Sequence, residues 1–415
     1  VRAALAGGAL WIGLTAFLPQ EWLAGVAQAS RPSAEVGEGE RGLFVTHSGD
    51  TLHAAWLTPG GGRGWAQLVA EDGTVGPEVT TRAGTSHSAV FLHQGPGRVH
   101  LRYGALDDPG ARHETTLRLE PEPGPARPGV AFSGVDSLFV VGDVHGELDT
   151  LRAVLRNAGV VDQADRWSAG RAHLVFVGDL MGRGPDVTAL LWFLYALEPQ
   201  AEEAGGRLHM VLGNHELMVL LADLRYVHPK EEALALAHGV PYDRMFDPRR
   251  SVLGRWILSK PAVIRIDDVL FAHGGVSTDY LGHSLQSLDD SLAVYGAEDL
   301  FYHWADPAFP TPAHLDGAAI ERRNEIFWGE RGIFWYRDYA LSDRFSTELG
   351  TVLRHFASSV HVVGHTPGPV IREAYGGSLI LTNTAPFAIE LLLMARKGSS
   401  WERWRIRSTG PAVPL

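Results

Sequence analysis

Residues 173–186 read HLVFVGDLMGRGPD: a hydrophobic run that stops at Gly-Asp and, four residues further on, sets an arginine between two glycines. Five apolar or half-apolar residues in a row have the texture of a strand buried on both faces. The segment that follows, DVTALLWFLYALEPQ (186–200), has the length and apolar content of a helix. The same order recurs upstream, where SLFVVGD (137–143) precedes the amphipathic ELDTLRAVLRNAG (147–159). It starts again at LHMVLGN (208–214). Strand, helix, strand in this rhythm predicts an α/β sheet. Further on, AVIRIDDVLFAHGG (262–275) predicts a hairpin turning at Asp267-Asp268, TELGTVLRHFA (347–357) a helix, and VHVVGHT (360–366) another buried strand. The C-terminus returns to hairpins. Parallel strands first and antiparallel ones later predict two mixed β-sheets flanked by helices.

Residues 41–120 have a different texture. Short β-rich runs such as GLFVTHS, TLHAAWLT and RVHLRYGA are punctuated by Gly, Asp and Pro. This predicts a small all-β sandwich over 30–120, of immunoglobulin or fibronectin type. The Pro/Gly stretch at 121–130 reads as a linker. The α/β domain then occupies 131–415, with an aromatic insertion at 283–345 that carries Trp304, Trp328, Trp335 and Tyr336. That insertion is either a substrate lid or a subsidiary hydrophobic cluster. No aromatic row marks the sandwich as a carbohydrate binder. Trp56 and Trp65 stand alone there.

At the N-terminus, an apolar run from Ala3 to Leu18 is followed by Ala27-Gln28-Ala29, a small-x-small pattern. Residues 1–29 are therefore expected to be a secretory signal peptide, and the protein to be periplasmic or secreted. The run is shorter than the ~20 residues of a spanning helix, so no membrane anchor is expected after cleavage.

Composition narrows the function. The 415 residues include no cysteine, which removes disulfides, thiolate metal sites and Cys nucleophiles together. A formal net charge of −12 argues against a nucleic-acid groove. A local basic pocket stays open.

Polar residues gather where hydrophobic runs end, always beside glycine: VVGDVHGE (140–147), FVGDLMGRGPD (176–186), VLGNHE (211–216), FAHGG (271–275) and VVGHTP (362–367). Ligands in open α/β sheets collect outside such strand ends. Asp143 and His145, two apart, point to one side. With Asp179, Asn214, His273 and His365 they make a mixed oxygen and nitrogen donor set. Such a set suits Mn, Fe or Zn better than Ca or Mg. Six donors suit two ions sharing a carboxylate. Any one of these fragments alone is an ordinary turn. Of 19 histidines, four lie in the motifs, and the other 15, His361 included, read as structural or surface residues.

GDVHG, GDLMGRG, GNHE, HGG and GHTP, in this order, resemble the motifs of the calcineurin-like metallophosphoesterases, in the phosphoprotein-phosphatase branch. The intervening LRYVHPKEE (224–232) and LGRWILSKPAVIRIDDVLFAHGGVS (253–277) are most similar to bacterial Shewanella-like phosphatases. The resemblance covers about 135–395 and implies a metallophosphoesterase αββα sandwich. It implies that Asp143, His145 and Asp179 hold one metal, and that Asp179 bridges to a second held by Asn214, His273 and His365. Arg183 would clamp the phosphoryl group, His215 would protonate the leaving group, and Arg337 would be the second arginine. The implied cofactor is a pair of divalent or trivalent ions, manganese first, with iron or zinc as alternatives. The implied nucleophile is a hydroxide bridging that pair. The implied substrate is a phosphorylated protein or a small phosphate ester, phosphotyrosine and aryl phosphates above others. Dinucleoside polyphosphates are the alternative, since their hydrolases share GHTP.

One position departs from the pattern. Gly182 stands where the branch has an aspartate that orients the histidine of GNHE. Three readings remain open: another carboxylate, such as Asp186 or Glu216, substitutes; the enzyme works on good leaving groups with a weaker acid; or the domain binds phosphate esters without turnover.

Overall fold

The alternation read from the sequence places its side chains on two sides of each central strand. In the computed structural model, Leu138 and Val140 of one strand and Val175 of the next enter the core between two sheets. Val141, Leu174 and Phe176 face the helices outside. The structure describes residues 42–58, 60–93, 95–119, 129–296, 329–384 and 388–415. The expected signal peptide, most of the expected linker, and Trp304 and Trp328 lie outside these residues.

Seven strands come first: β1 (Phe44–Ser48), β2 (Thr51–Leu57), β3 (Arg63–Ala70), β4 (Val75–Ala83), β5 (Ser86–Leu92), β6 (Gly97–Ala105) and β7 (Arg112–Leu119). They form two antiparallel sheets, ordered β1-β2-β5 and β4-β3-β6-β7. Along β5, exposed and buried residues alternate without exception, the signature of a sheet with one wet face. Trp56 on β2 is fully buried, and its indole N–H donates to the Gly104 carbonyl on β6 at 3.1 Å. One side chain thus fills the core and ties the two sheets.

The second half opens with β8 (Ala131–Phe132), β9 (Ser137–Val141), α1 (Leu148–Asn157), β10 (His173–Phe176), α2 (Val187–Glu203) and β11 (Arg207–Met210). Strands β9, β10 and β11 are parallel, as the strand–helix rhythm requires. Then come α3 (Asn214–Leu220), α4 (Pro229–Ala237), α5 (Val252–Leu258), β12 (Val263–Ile266), β13 (Val269–Ala272) and α6 (Leu285–Gly296). The chain closes with α7 (Asp338–Leu341), α8 (Ser346–His355), β14 (Val360–Val363), β15 (Arg372–Ala374), β16 (Leu379–Leu381), β17 (Leu391–Lys397), β18 (Ser400–Ile406) and β19 (Val413–Pro414).

One mixed sheet runs β11-β10-β9-β17-β18-β19, the other β15-β16-β14-β13-β12-β8. The β12–β13 hairpin turns at Asp267-Asp268. Between the sheets lies a dry layer of Val, Ile, Leu, Met and Phe, including Val177, Ile264, Phe271, Val362 and Leu392. Burying a side chain of this size contributes about 1.5–3 kcal/mol. Helix α1 covers the first sheet with Leu148, Leu151, Val154 and Leu155, one face at helical spacing. Helix α8 covers the second sheet with Leu349 and Leu353, beside Tyr336 and Tyr339. The result is the expected sandwich of two mixed sheets flanked by helices, with the additional β-sheets before it.

The N-terminal strands dock on the far half of α2. The Arg118 amide donates to the Tyr195 hydroxyl at 2.9 Å, and the Arg118 guanidinium pairs with Glu202. Strand β1 bridges to Ser251 at the start of α5. A cavity of about 210 Å³ opens at this junction, between Arg98, Arg118, Glu202, Arg255 and Lys260. Its charges pair in part among themselves, Lys260 with Glu198 at 2.7 Å and Arg118 with Glu202. Among the described residues no helix is long and apolar enough to cross a membrane.

Candidate metal centre

Five strands deliver their polar ends to one place. Asp143 and His145 follow β9, Asp179 follows β10, Asn214 opens α3 just after β11, His273 follows β13 and His365 follows β14. The first three strands belong to one sheet and the last two to the other, so the residues meet along the seam. The seam is tied directly: Asp143 Oδ1 accepts the His365 amide at 3.0 Å. Glycine is needed because the strands approach so closely. A Cβ on Gly213 would stand 2.3 Å from Asp179 Oδ1, and one on Gly364 would stand 2.5 Å from Asp143 Oδ1. His145, Asp179, Arg183 and His365 all hold left-handed backbone, with φ between 49° and 67°. Non-glycine residues are held that way at a cost of order 1–3 kcal/mol, which concentrates at functional sites.

Two triads could hold metal ions: His145, Asp179 and His215, and Asp179, His273 and His365. Asp179 belongs to both. Its Oδ2 lies 3.2 Å from His273 Nε2 and 3.8 Å from His145 Nε2. Asp143 and Asn214 adjoin the triads, Asp143 Oδ2 being 3.8 Å from His145 Nε2 and Asn214 Oδ1 3.0 Å from His273 Nε2. The sequence-predicted donors are therefore all gathered. His215, expected as the acid alone, also stands within reach of a metal.

The donor chemistry fits a metal pair. His145 Nδ1 bonds the Met181 carbonyl at 2.9 Å and His273 Nδ1 the Val177 carbonyl at 2.7 Å. A carbonyl can only accept, so each Nδ1 carries a proton, and Nε2 is the ring nitrogen that would face a metal. Asp143 and Asp179 are both buried. Burial, with Asp179 beside it, pushes the Asp143 carboxyl up to about 7, against the pull of His273. Burial also acts against ionised Asp179, but His273, His215 and His145 outweigh it and hold that carboxyl well below its usual range. Conversely, burial opposes the His273 imidazolium, while Asp179 and Asp143 lift it to about 9. Buried carboxylates in such a ring of imidazoles are relieved by cations at its centre.

Two guanidiniums flank the ring. Arg183 Nη1 donates to His145 Nε2 at 2.9 Å, and Arg337 Nε donates to His365 Nε2 at 2.9 Å. Trp335 meets the His365 ring edge-on at 5.8 Å, whereas Tyr336 is buried under α8. Among the described residues of the aromatic insertion, Trp335 stands beside His365 and Tyr336 fills a core.

Some partners escaped sequence reading. Asn383, just past β16, donates to Asp143 Oδ2 at 2.6 Å and to the His365 carbonyl at 3.2 Å. It is one more polar residue after an apolar run, and that recurrence was the available signal. Glu216 accepts four amides, from Asp179, Leu180, Met181 and Gly213, at 2.7–3.0 Å. It braces the loop that carries Asp179.

Of the three readings of Gly182, replacement by Asp186 or Glu216 is not what these contacts support. Glu216 is committed to the backbone and Asp186 to Lys230 Nζ at 2.6 Å, so neither stands in for a missing aspartate. A Cβ on Gly182 would lie 2.3 Å from His215 Nδ1, and φ there is +77°. His215 occupies the space a side chain would need. Its ring packs between His145, edge-to-face at 4.6 Å, and Tyr226 at 5.0 Å. Burial lowers its pKa, against the opposing pull of Asp179.

A buried centre of this kind, at the strand ends of two packed mixed sheets, defines a metal-dependent phosphatase. The chain belongs to the calcineurin-like phosphoesterases, whose family pattern matches residues 137–376. It superposes on the cold-active protein-tyrosine phosphatase of a psychrophilic Shewanella species with a TM-score of 0.61 and 27% identity, over 78% of this chain and 99% of that one. It is 32% identical over 238 residues to an uncharacterized protein of Schizosaccharomyces pombe, covering 55% of this chain and 67% of that protein. It is 28% identical over 202 residues to Shewanella-like protein phosphatase 2 of Arabidopsis thaliana, covering 39% of this chain and 52% of that one. The chain thus spans about half the length of the Arabidopsis relative.

Proposed function

We propose that the protein hydrolyses phosphomonoesters with a metal pair held by Asp143, His145, Asp179, Asn214, His273 and His365. Its substrates are aryl phosphates, phosphotyrosine in proteins above others. The observation that carries this reading is Asp179, shared by two triads that have an arginine at either end. The tyrosine phosphatase named among the similar structures supports the substrate class. Manganese is the proposed ion, with iron or zinc as alternatives, because the donors are carboxylate, amide and imidazole without sulfur.

The chemistry supplied by a metal pair held there is activation of water and neutralisation of phosphoryl charge. The chain's own residues do the rest. Arg183 and Arg337 bind the non-bridging oxygens, each giving up its imidazole contact for a charge-assisted bond to phosphate. Glu216 and Asn383 hold the carboxylates in place. His215 hands its proton to the leaving oxygen. With burial lowering its pKa against the pull of Asp179, it serves a phenol better than an alkoxide. The apolar run of residues 3–18 and Ala27-Gln28-Ala29 support a further proposal, that the protein acts after export.

The test is turnover of an aryl phosphate against a phosphoserine peptide by protein stripped of metal and refilled with manganese. Metal-dependent hydrolysis favouring the aryl ester is expected. Binding of metal and phosphate ester without turnover would leave a binding module. Faster hydrolysis of a dinucleoside polyphosphate would replace the substrate class.

A further inference from the structure

We infer that Tyr226 forms the wall against which an aromatic leaving group stacks, and that it is the residue that selects aryl over alkyl phosphates. The inference rests on the phosphatase reading and names its specificity determinant.

Tyr226 lies in the loop between α3 and α4, in LRYVHPKEE. It is one of the few large apolar side chains left open, 46% exposed, while the His215 ring beneath it is buried. Their ring centroids are 5.0 Å apart with a tilt of 40°, so the phenol ring stands between the proposed proton donor and solvent. The Arg183 guanidinium carbon lies 5.7 Å from the same ring centroid, and the Arg183 amide donates to the Tyr226 carbonyl. Arg225 lies 5.8 Å from the ring centroid, its own guanidinium bound to both Asp223 oxygens. One aromatic ring thus stands beside both the proton donor and the phosphate clamp.

Geometry makes this position selective. The leaving oxygen must reach His215, so the body of the leaving group must pass beside whatever covers His215 on the solvent side. That cover is Tyr226. An aryl group can stack there in the offset or tilted arrangement that aromatic pairs prefer, and a seryl or glyceryl group cannot. The ring face carries the effect, because the backbone contact to Arg183 survives any side-chain substitution.

The test compares Tyr226→Leu and Tyr226→Phe with the parent protein, each with its metals bound. Affinities for phenylphosphonate and methylphosphonate, which are not hydrolysed, are measured by calorimetry. The phenyl-to-methyl affinity ratio should fall roughly three- to tenfold in Tyr226→Leu and be kept in Tyr226→Phe. An unchanged ratio in Tyr226→Leu, whatever the absolute affinities do, overturns the inference. An equal loss in Tyr226→Phe also overturns it, since the hydroxyl would then be responsible. Because no turnover is needed, failure of the phosphatase reading registers separately, as absent hydrolysis by the parent protein.

Discussion

Gly182 and His215 share a space that holds only one of their side chains: a Cβ on the glycine would stand 2.3 Å from the imidazole Nδ1. The departure from the family pattern is therefore built into the packing of the proposed acid. Restoring an aspartate by Gly182→Asp should not improve catalysis. Left-handed backbone alone costs a residue with a Cβ about 1–2 kcal/mol, and His215 must move. The melting temperature should fall, and alkyl-phosphate turnover should fall at least tenfold with it. A variant that melts like the parent and hydrolyses alkyl esters faster would contradict this, and both are read by calorimetry and steady-state kinetics.

Asn383 holds Asp143 from outside the donor set at 2.6 Å. Partners of this kind typically tune metal affinity 10–100-fold. Asn383→Leu should weaken metal binding by about that factor while the fold is retained, as measured by titration of the stripped protein and by far-UV circular dichroism. Unaltered affinity would show that Asp143 needs no such support.

Glu216 is the acceptor for four amides around the Asp179 loop. Burial and the neighbouring Asp179 push its carboxyl up to about 7, while those amide donors pull it down. Glu216→Gln keeps the shape but turns an NH2 group toward N–H donors. Buried donors left without partners cost about 1–3 kcal/mol. Urea unfolding should show a loss of that order or more, and a neutral substitution would refute the bracing role.

His173, the first residue of β10, and His209 on β11 share a hydrogen bond of 2.9 Å. Burial, then Arg207, lowers His173 to about 4, and burial with His173 and Arg207 lowers His209 well below its usual value. The folded pair stays neutral where the unfolded chain takes up protons. Stability should therefore fall as pH drops from about 6.5, the unfolded value, toward 4. His173→Gln should flatten the drop in melting temperature between pH 7 and pH 5. An equally steep drop would place the acid sensitivity elsewhere.

The sheets were legible because strands buried on both faces announce themselves as apolar runs, and because Gly142, Gly178, Gly213 and Gly364 mark where the runs must end. The donors were legible for the same reason, each being the polar residue after such an end. Pairings between distant segments were not. Nothing local says that β17 joins β9 rather than the sheet of β16, because that choice is made by two faces meeting at the end of folding. Asn383 went unnoticed for this reason, sitting in a C-terminal hairpin until the sheets bring it to Asp143. Gly182 was legible only in part. A missing carboxylate is visible in a sequence, but the imidazole filling its place is visible only in three dimensions.

The shared role of Asp179 is tested most directly by counting metal. Equilibrium dialysis against manganese, followed by elemental analysis, should give two ions per chain in the parent protein. In Asp179→Asn it should give at most one weakly held ion, with aryl-phosphate turnover lost. A fully active parent holding a single ion, or an Asp179→Asn variant that keeps both ions and its turnover, would contradict a centre bridged by Asp179.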